Sequence, residues 1–235
     1  MWILVLLVIC FFIFLFVSYG LSKDDYLLLK KNINVDQVFD MGFVLAVVAL
    51  LFSRLIFVAM HPNPGYFNPF IFLGIPYYPG LSLSGGGVGG VLFLLFLCKY
   101  QKLPMGRLLD FFSISFLSAL PVGIIGYILV LRQNLFTISP ISLVLAYIVL
   151  FIVFIKILLS LLLSGRLKDG TIGLIFLICF AIISLVGNFI GRVGNLLNLG
   201  LEDLILIIAL YASTVFLFRQ EKLLTKIKKF KLKRN

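Results

Sequence analysis

Long apolar stretches follow one another through this chain from its first residue to Phe218, separated only by short polar breaks. A helix needs about 20 mainly apolar residues to cross a bilayer. The stretches predict helices near 1–19, 41–60, 82–98, 108–131, 138–163, 170–190 and 201–218. With 62% hydrophobic and 12% charged residues and a mean hydropathy of +1.20, no segment is left to form the half-polar surface of a soluble domain. The expected fold is all-α and integral to the membrane, with seven transmembrane helices: one helical domain over 1–218 and a basic tail over 219–235. The first stretch has no positively charged segment before it and no small-residue cleavage site after it, so it reads as a mature helix rather than a signal peptide.

Seven spans place the termini on opposite sides, and charge distinguishes the sides. Lys23, Lys30 and Lys31, then Lys99, Lys102 and Arg107, then Arg166 and Lys168, and then the tail all fall on one side, whereas the other side has only Arg132 and Arg192. Lys and Arg collect in cytoplasmic loops, so the N-terminus is expected outside and the C-terminus inside. Of the 20 cationic residues, 8 lie in the last 17 positions, and the net charge of +11 therefore suits an anionic membrane surface better than nucleic acid. Cys10, Cys98 and Cys179 lie inside apolar stretches, where they read as small buried hydrophobes rather than as a disulfide framework or a metal site. No metal or other cofactor is expected.

The expected outer breaks carry the polar residues that chemistry would need. The break 61–81 opens with His61-Pro62-Asn63-Pro64-Gly65 and ends in Tyr77-Tyr78-Pro79-Gly80, a charge-free composition suited to the headgroup region. It leads into Leu81-Ser82-Leu83-Ser84-Gly85-Gly86-Gly87-Val88-Gly89-Gly90, where each glycine weakens a helix by roughly 1 kcal/mol relative to alanine. Two compensations would account for the run. A neighbouring helix can approach closely over the missing side chains, or backbone N–H groups around Gly85 and Gly86 can form a pocket for an anionic headgroup. Arg54, in the outer half of its helix, suits either a phosphate held bidentately or a buried structural pair. Lys156 lies close enough to the inner end of its helix to snorkel. Gly191-Arg192-Val193-Gly194-Asn195-Leu196-Leu197-Asn198, with Glu202 close behind, places a phosphate ligand, amide donors and a carboxylate in one short loop; Gly and Asn are equally the residues of an ordinary turn. His61, the only histidine, stands at the outer face with a side chain suited to proton transfer at neutral pH.

Asn68-Pro69-Phe70, the stretch Pro79 to Gly90, the basic Lys102-Leu103 and the helix opening Arg107-Leu108-Leu109-Asp110 resemble bacterial prolipoprotein diacylglyceryl transferases. That family's pattern is N/D-P, G-G-L/M-S-F-H-G-G-L-I-G-G, a basic loop and R-L-x-D at similar spacing. Ser53-Arg54-Leu55 resembles the family's G-A-R-L, and seven helices with the N-terminus outside fit its topology. The resemblance covers most of 41–130. It implies transfer of diacylglycerol from phosphatidylglycerol, or a similar anionic phospholipid, to the cysteine thiol of a lipoprotein-precursor lipobox peptide. A thioether would form and glycerol phosphate would leave at the outer leaflet of the bacterial cytoplasmic (inner) membrane. Such a reaction needs a cation on the phosphate and an acceptor for the thiol proton.

The chain departs from the pattern at several places. Ser84 stands where the family has its His, and Tyr19-Gly20 lies at the inner end of the first helix where the family's Tyr-Gly lies at the outer end. Gly123-Ile124-Ile125-Gly126-Tyr127 stands where the signature G-R-x-G-N-F-x-N-x-E is expected. Gly191 to Asn198 reproduces the opening of that signature except its Phe, in another outer loop and with Gly200 where the Glu belongs. Arg192 equally fits an Arg that the family carries shortly before its last helix. The resemblance and the outer-face residues together give an expected catalytic set of Arg192, Asn195 and His61. Arg54, Ser84, Gly85, Gly86, Asn198 and Glu202 are expected to bind substrate. The alternative is a non-catalytic family member that binds lipid or lipoprotein precursor. A small transporter fits less well, because the charges do not line successive faces of several helices.

Overall fold

The protein is represented by a computed structural model that describes residues 2–74, 80–130, 138–191 and 200–221; regular structure among them is entirely helical. The chain runs through α1 (Trp2–Ser22), α2 (Tyr26–Lys30), α3 (Val35–Met60), α4 (Pro69–Leu73), α5 (Leu83–Tyr100), α6 (Met105–Val130), α7 (Ile138–Val153), α8 (Leu159–Leu163), α9 (Thr171–Gly191) and α10 (Leu201–Glu221). Seven helices are long and apolar enough to cross a membrane, α7 and α8 forming one of them as a continuous span. This is the architecture expected from the apolar stretches.

The boundaries differ where polar residues extend a helix beyond the apolar stretch. α3 begins at Val35 rather than near 41, with Asp36, Gln37 and Asp40 exposed on its first turns. A helix bonds its own backbone, so polar side chains at the membrane edge do not end it, and Asp36 complements the positive end of the helix dipole. The break 61–81 is also more ordered than a plain loop. Asn63 and Asn68 each stand before a proline and cap a short helix: the 3₁₀ turn Pro64–Phe67 and α4. Their Oδ1 atoms accept from Gly65 N and Phe70 N, both at 3.0 Å. Between α7 and α8 the backbone widens into a π turn, Phe154–Leu158, which holds the exposed Lys156.

α6 is the centre of the bundle: 72% of its span is buried, against 17% in α3 and α10. On one side it packs with α1, α3 and α5 around Phe14, Leu45, Leu94 and Phe112. On the other it packs with α7, α9 and α10 around Leu117, Tyr147, Phe176, Phe180 and Leu206. Exposed apolar residues such as Phe16, Phe96, Val149 and Ile208 cover the outside, which in water would be an aggregating surface and in lipid is the solvent-matched one. Consecutive spans alternate in direction, so the breaks gather at two ends. One collects Arg54, Ser82 and Glu202, and the other collects Asp25, Arg107 and Asp169. They are called the Glu202 end and the Arg107 end below.

Candidate functional site

At the Glu202 end the glycine run is first a packing surface. A Cβ built on Gly85 would lie 2.7 Å from Ile56 Cβ, and one on Gly89 would lie 2.4 Å from Phe52 Cβ, both on α3. Gly86 faces Ser53 and Gly90 faces Ala49 along the same α3 surface, whereas Gly87 faces the Phe180 ring of α9. Four glycines of one helical stripe therefore let α5 lie directly on the α3 backbone, and the fifth admits a ring from the opposite side.

Close approach brings the start of α5 into hydrogen bonding with α3 and α10. Ser82 is the N-cap of α5, in extended conformation, and its Oγ accepts Gly85 N–H at 3.1 Å. Its backbone is clamped to α3 in both directions: Ser53 Oγ donates to Ser82 O at 2.7 Å, and Ser82 N donates to Ser53 O at 3.1 Å. Its hydroxyl donates to Glu202 Oε1 of α10 at 2.6 Å and lies 2.9 Å from Ser84 Oγ. Ser53, Ser82 and Ser84 are buried and Glu202 is partly so. The next residue, Asp203, accepts from Asn188 Nδ2 on α9 and from Gly200 N, both at 2.9 Å, which closes the first turn of α10. The N–H groups of Gly85 and Gly86 are thus bonded within the protein, the second to Ser82 O at 3.0 Å.

Arg54 is fully buried, and its guanidinium is held by backbone carbonyls of the break that precedes α5. Nε donates to Phe72 O at 2.9 Å, Nη1 to Gly80 O at 2.8 Å and Nη2 to Ile71 O at 3.2 Å. The cation also lies over the Phe57 and Tyr66 rings, 5.6 and 5.2 Å from their centroids. Gly80 is the residue that fits under Phe57, since a Cβ there would fall 2.2 Å from the ring. His61, exposed at the end of α3, stacks on the other neighbour of this group, Phe57, at 4.6 Å, and its Nδ1 is 3.2 Å from Phe57 O. A carbonyl only accepts, so Nδ1 is the donor in this contact, which leaves Nε2 as the ring nitrogen available for accepting.

The Arg107 end is built from charges. Arg107 donates through Nε and Nη2 to Asp25 Oδ2 at 2.9 and 2.5 Å, and through Nη1 to Asp169 Oδ1 at 3.2 Å. Asp25 Oδ1 meanwhile caps α2. Buried Asp110 accepts Gly170 N–H at 2.7 Å and Gly173 N–H at 2.8 Å, one on each oxygen, so the Arg107-Leu108-Leu109-Asp110 opening ties α6 to the start of α9. Gly170 has a φ of +95° and lies against Gly106, a contact that side chains would block. Thr171 donates to Glu221 Oε1 at 2.8 Å and Lys168 Nζ donates to Gln220 O, which fastens the end of α10 here. A groove of about 530 Å³ lies between α3 and α5 at this end, lined by Gln37, Asp40, Gln101 and their apolar neighbours, away from the expected site residues.

The structure thus brings Arg54, Ser84, Gly85, Gly86 and Glu202 to one end and sets His61 at the rim above Arg54. Arg192, Asn195 and Asn198 lie outside the described residues. The sequence does not single out Ser53 and Ser82, the hub of the cluster; Ser82 is an N-cap residue type directly before an apolar stretch, and nothing local marks Ser53. The chain is 27% identical over 107 residues to the phosphatidylglycerol–prolipoprotein diacylglyceryl transferase of Fusobacterium nucleatum subsp. nucleatum. That match covers 46% of this chain and 37% of the relative, so the chain spans little more than a third of the length of the curated protein it matches. The family model described as prolipoprotein diacylglyceryl transferase matches residues 2–185, which include α1 to α8 and most of α9 and leave Arg192, Asn195, Asn198 and Glu202 beyond its end. Matched over most of its length, this multi-pass membrane protein belongs to the prolipoprotein diacylglyceryl transferase family.

Proposed function

We propose that the chain transfers diacylglycerol from phosphatidylglycerol to the cysteine thiol of a lipobox peptide, at the outer leaflet of a bacterial cytoplasmic membrane. Family membership supports the reaction class. The observation that carries the location is the assembly of Arg54, Ser82, Ser84 and Glu202 at one end of an otherwise apolar α3, α5 and α10 contact. The charge distribution orients this end outward and the tail 219–235 toward the cytoplasm. Attack of the thiol sulfur on the glycerol carbon breaks the carbon–oxygen bond to phosphate, forms the thioether and releases glycerol phosphate. His61, with Nε2 free to accept, takes the thiol proton. Arg192 neutralises the departing phosphate, Asn195 donates to it, and Asn198 helps to position it. Arg54, fully buried, holds the break in place through three carbonyls, and its charge, met by carbonyls and rings among the described residues, attracts an anionic headgroup. Gly85 and Gly86, packed on α3, set the start of α5 so that Ser84 and Glu202 lie beside the headgroup.

The second reading, a family member that binds lipid or precursor without chemistry, is favoured by Ser84 at the position of the motif's His and by the internal bonding of the Gly85 and Gly86 N–H groups. One assay separates the two. Purified protein in phosphatidylglycerol vesicles is incubated with a lipobox peptide, and thioether formation is read as a mass increase. Loss of a phosphate-stabilising donor slows transfer by about 10² to 10³, so Arg192→Ala should nearly abolish the product, with His61→Ala close behind. A reporter fused after Asn235 should read as cytoplasmic and one placed within Asn63 to Gly65 as external. Phosphatidylglycerol binding with no transfer by the unmodified protein selects the second reading.

A further inference from the structure

The groove at the Arg107 end follows from how α5 changes along its length. Near Glu202 the glycine stripe lets α5 lie on α3, and the stripe ends at Gly90. Nearer Arg107, Leu94 and Cys98 of α5 share the core with Met41 and Leu45 of α3, and these larger side chains hold the helices apart. The opening of about 530 Å³ between them falls in the range of about 300–1,000 Å³ usual for ligand sites. Its lining is graded. Residues four apart on a helix share a face and differ in height by about 6 Å. Gln37 stands over Met41 and Asp40 over Val44 on α3, and Gln101 stands over Leu97 on α5. Three polar side chains thus form a lip at the helix ends, at headgroup level, and three apolar ones line the depth toward the bilayer centre.

That lip has no partners of its own. Asp25 and Asp169 at this end are bonded to Arg107, and Asp110 to the backbone of α9. Among the described residues, Asp40 has neither a hydrogen bond nor an ion pair, and the side-chain amides of Gln37 and Gln101 have no hydrogen bond. Lys102 stands between the lining residues Gln101 and Leu103 with a φ of +55°, at a helix end where glycine is the usual residue. Leu103 N donates to Cys98 O at 2.9 Å and fixes this turn, so a cation is kept at the lip in a conformation that glycine would adopt more readily. A purely anionic headgroup would meet Asp40, and a purely cationic ligand would meet Lys102. A ligand with both charges and an apolar body matches the whole lining. No aromatic ring, the usual partner of a quaternary ammonium, lines the groove, whereas its carboxylate and amide oxygens suit a primary ammonium with three hydrogens to donate. We infer that the groove binds a zwitterionic aminophospholipid of the phosphatidylethanolamine class, in the leaflet at the Arg107 end. Its ammonium lies on Asp40 and its phosphate at Lys102, and an acyl chain starts along Met41, Val44 and Leu97. This site is separate from the Glu202 end and does not depend on the transfer reading.

Phosphatidylethanolamine and phosphatidylcholine with the same acyl chains differ only in three N-methyl groups, which makes them the matched probes. The full chain in detergent is mixed with equal amounts of both, and bound lipid is counted by native mass spectrometry. A hydrogen bond to a charged group corresponds to about tenfold in affinity, so the unmodified protein should retain phosphatidylethanolamine in preference by that factor. Asp40→Asn should bring the two lipids within about threefold of each other. Its melting profile should not change, because Asp40 bonds nothing among the described residues. Asp36→Asn, at an exposed carboxylate outside the lining, should keep the full preference. Lys102→Gly suits the turn and removes the cation that faces the phosphate, so it should lower retention of both lipids and leave their ratio alone. Equal retention by the unmodified protein overturns the inference, and so does a full preference in Asp40→Asn or undiminished retention in Lys102→Gly. Two further results assign the groove to another occupant and overturn it as well. One is phosphatidylglycerol displacing phosphatidylethanolamine from the unmodified protein but not from Lys102→Gly, and the other is a dimer mass that is lost in Asp40→Asn.

Discussion

The two ends of the bundle handle buried charge in opposite ways. At the Arg107 end a cation meets carboxylates directly, Asp25 at 2.5 Å and Asp169 at 3.2 Å, and its positive charge is cancelled where it sits. At the Glu202 end, among the described residues, Arg54 rests on three carbonyls and two aromatic faces, and Glu202 rests on a hydroxyl. Neutral dipoles satisfy the hydrogen bonds of a charge without cancelling its field. An ion-paired end is therefore a staple, and an end whose charges lean on neutral groups keeps potential for a ligand. Both ends use glycine for close approach, so packing alone does not tell them apart.

Removing each cation tests that contrast most severely. Arg107→Leu leaves the buried Asp25 carboxylate without its counter-ion, and breaking such a pair typically costs about 3–5 kcal/mol. Asp169, whose side chain is 43% exposed, adds little to this. Arg54→Leu leaves only neutral carbonyls, and the expected loss is smaller, about 1–3 kcal/mol. Unfolding in detergent, followed by circular dichroism, measures both. Equal losses would mean that Arg54 has a counter-ion of its own and that the contrast is false.

A smaller effect is expected at Asp110, where the staple is a carboxylate on backbone N–H groups. Asp110→Asn has one acceptor oxygen in place of two, so either Gly170 N or Gly173 N faces an amide donor. The expected cost is about 1–3 kcal/mol in the same unfolding measurement, with amide exchange accelerated at the start of α9. Unchanged exchange there would show that Asp110 does not hold α9.

Much of this architecture is legible in the sequence, because hydropathy reports the medium that a helix crosses. The seven spans follow from it, and the start of α3 at Val35 does not, since Asp36 and Asp40 are polar yet helical. The short helices within 61–81 were available in principle from Asn63-Pro64 and Asn68-Pro69, each an N-cap before a proline. The π turn around Lys156 has no local signal. At the site, Arg54 and the glycine run stand out as anomalies in an apolar chain, but their partners do not. Arg54 bonds to carbonyls, which every residue has, and Ser82 meets Glu202 from 120 positions away. Composition marks the residues that need compensation, and only the fold says what compensates them.

Two neighbours in the glycine run give the finest test, because they separate close approach from helix propensity. A Cβ at Gly89 falls 2.4 Å from Phe52 Cβ and 2.5 Å from its Cγ, atoms near the backbone that cannot swing away. Gly89→Ala must push α5 off α3, and such overpacking costs about 1–3 kcal/mol. A Cβ at Gly90 meets Ala49 Cβ at 3.4 Å, close to ordinary contact, while alanine favours the helix by about 0.5–1 kcal/mol. Gly90→Ala should therefore leave stability unchanged or raise it by up to about 1 kcal/mol. The displacement in Gly89→Ala also strains the two Ser53–Ser82 bonds that set the start of α5, so phosphatidylglycerol binding should weaken in that variant and persist in Gly90→Ala. If both variants bind phosphatidylglycerol equally well, the Glu202 end does not depend on the α3 contact, and its polar cluster is assembled by α10 through Glu202.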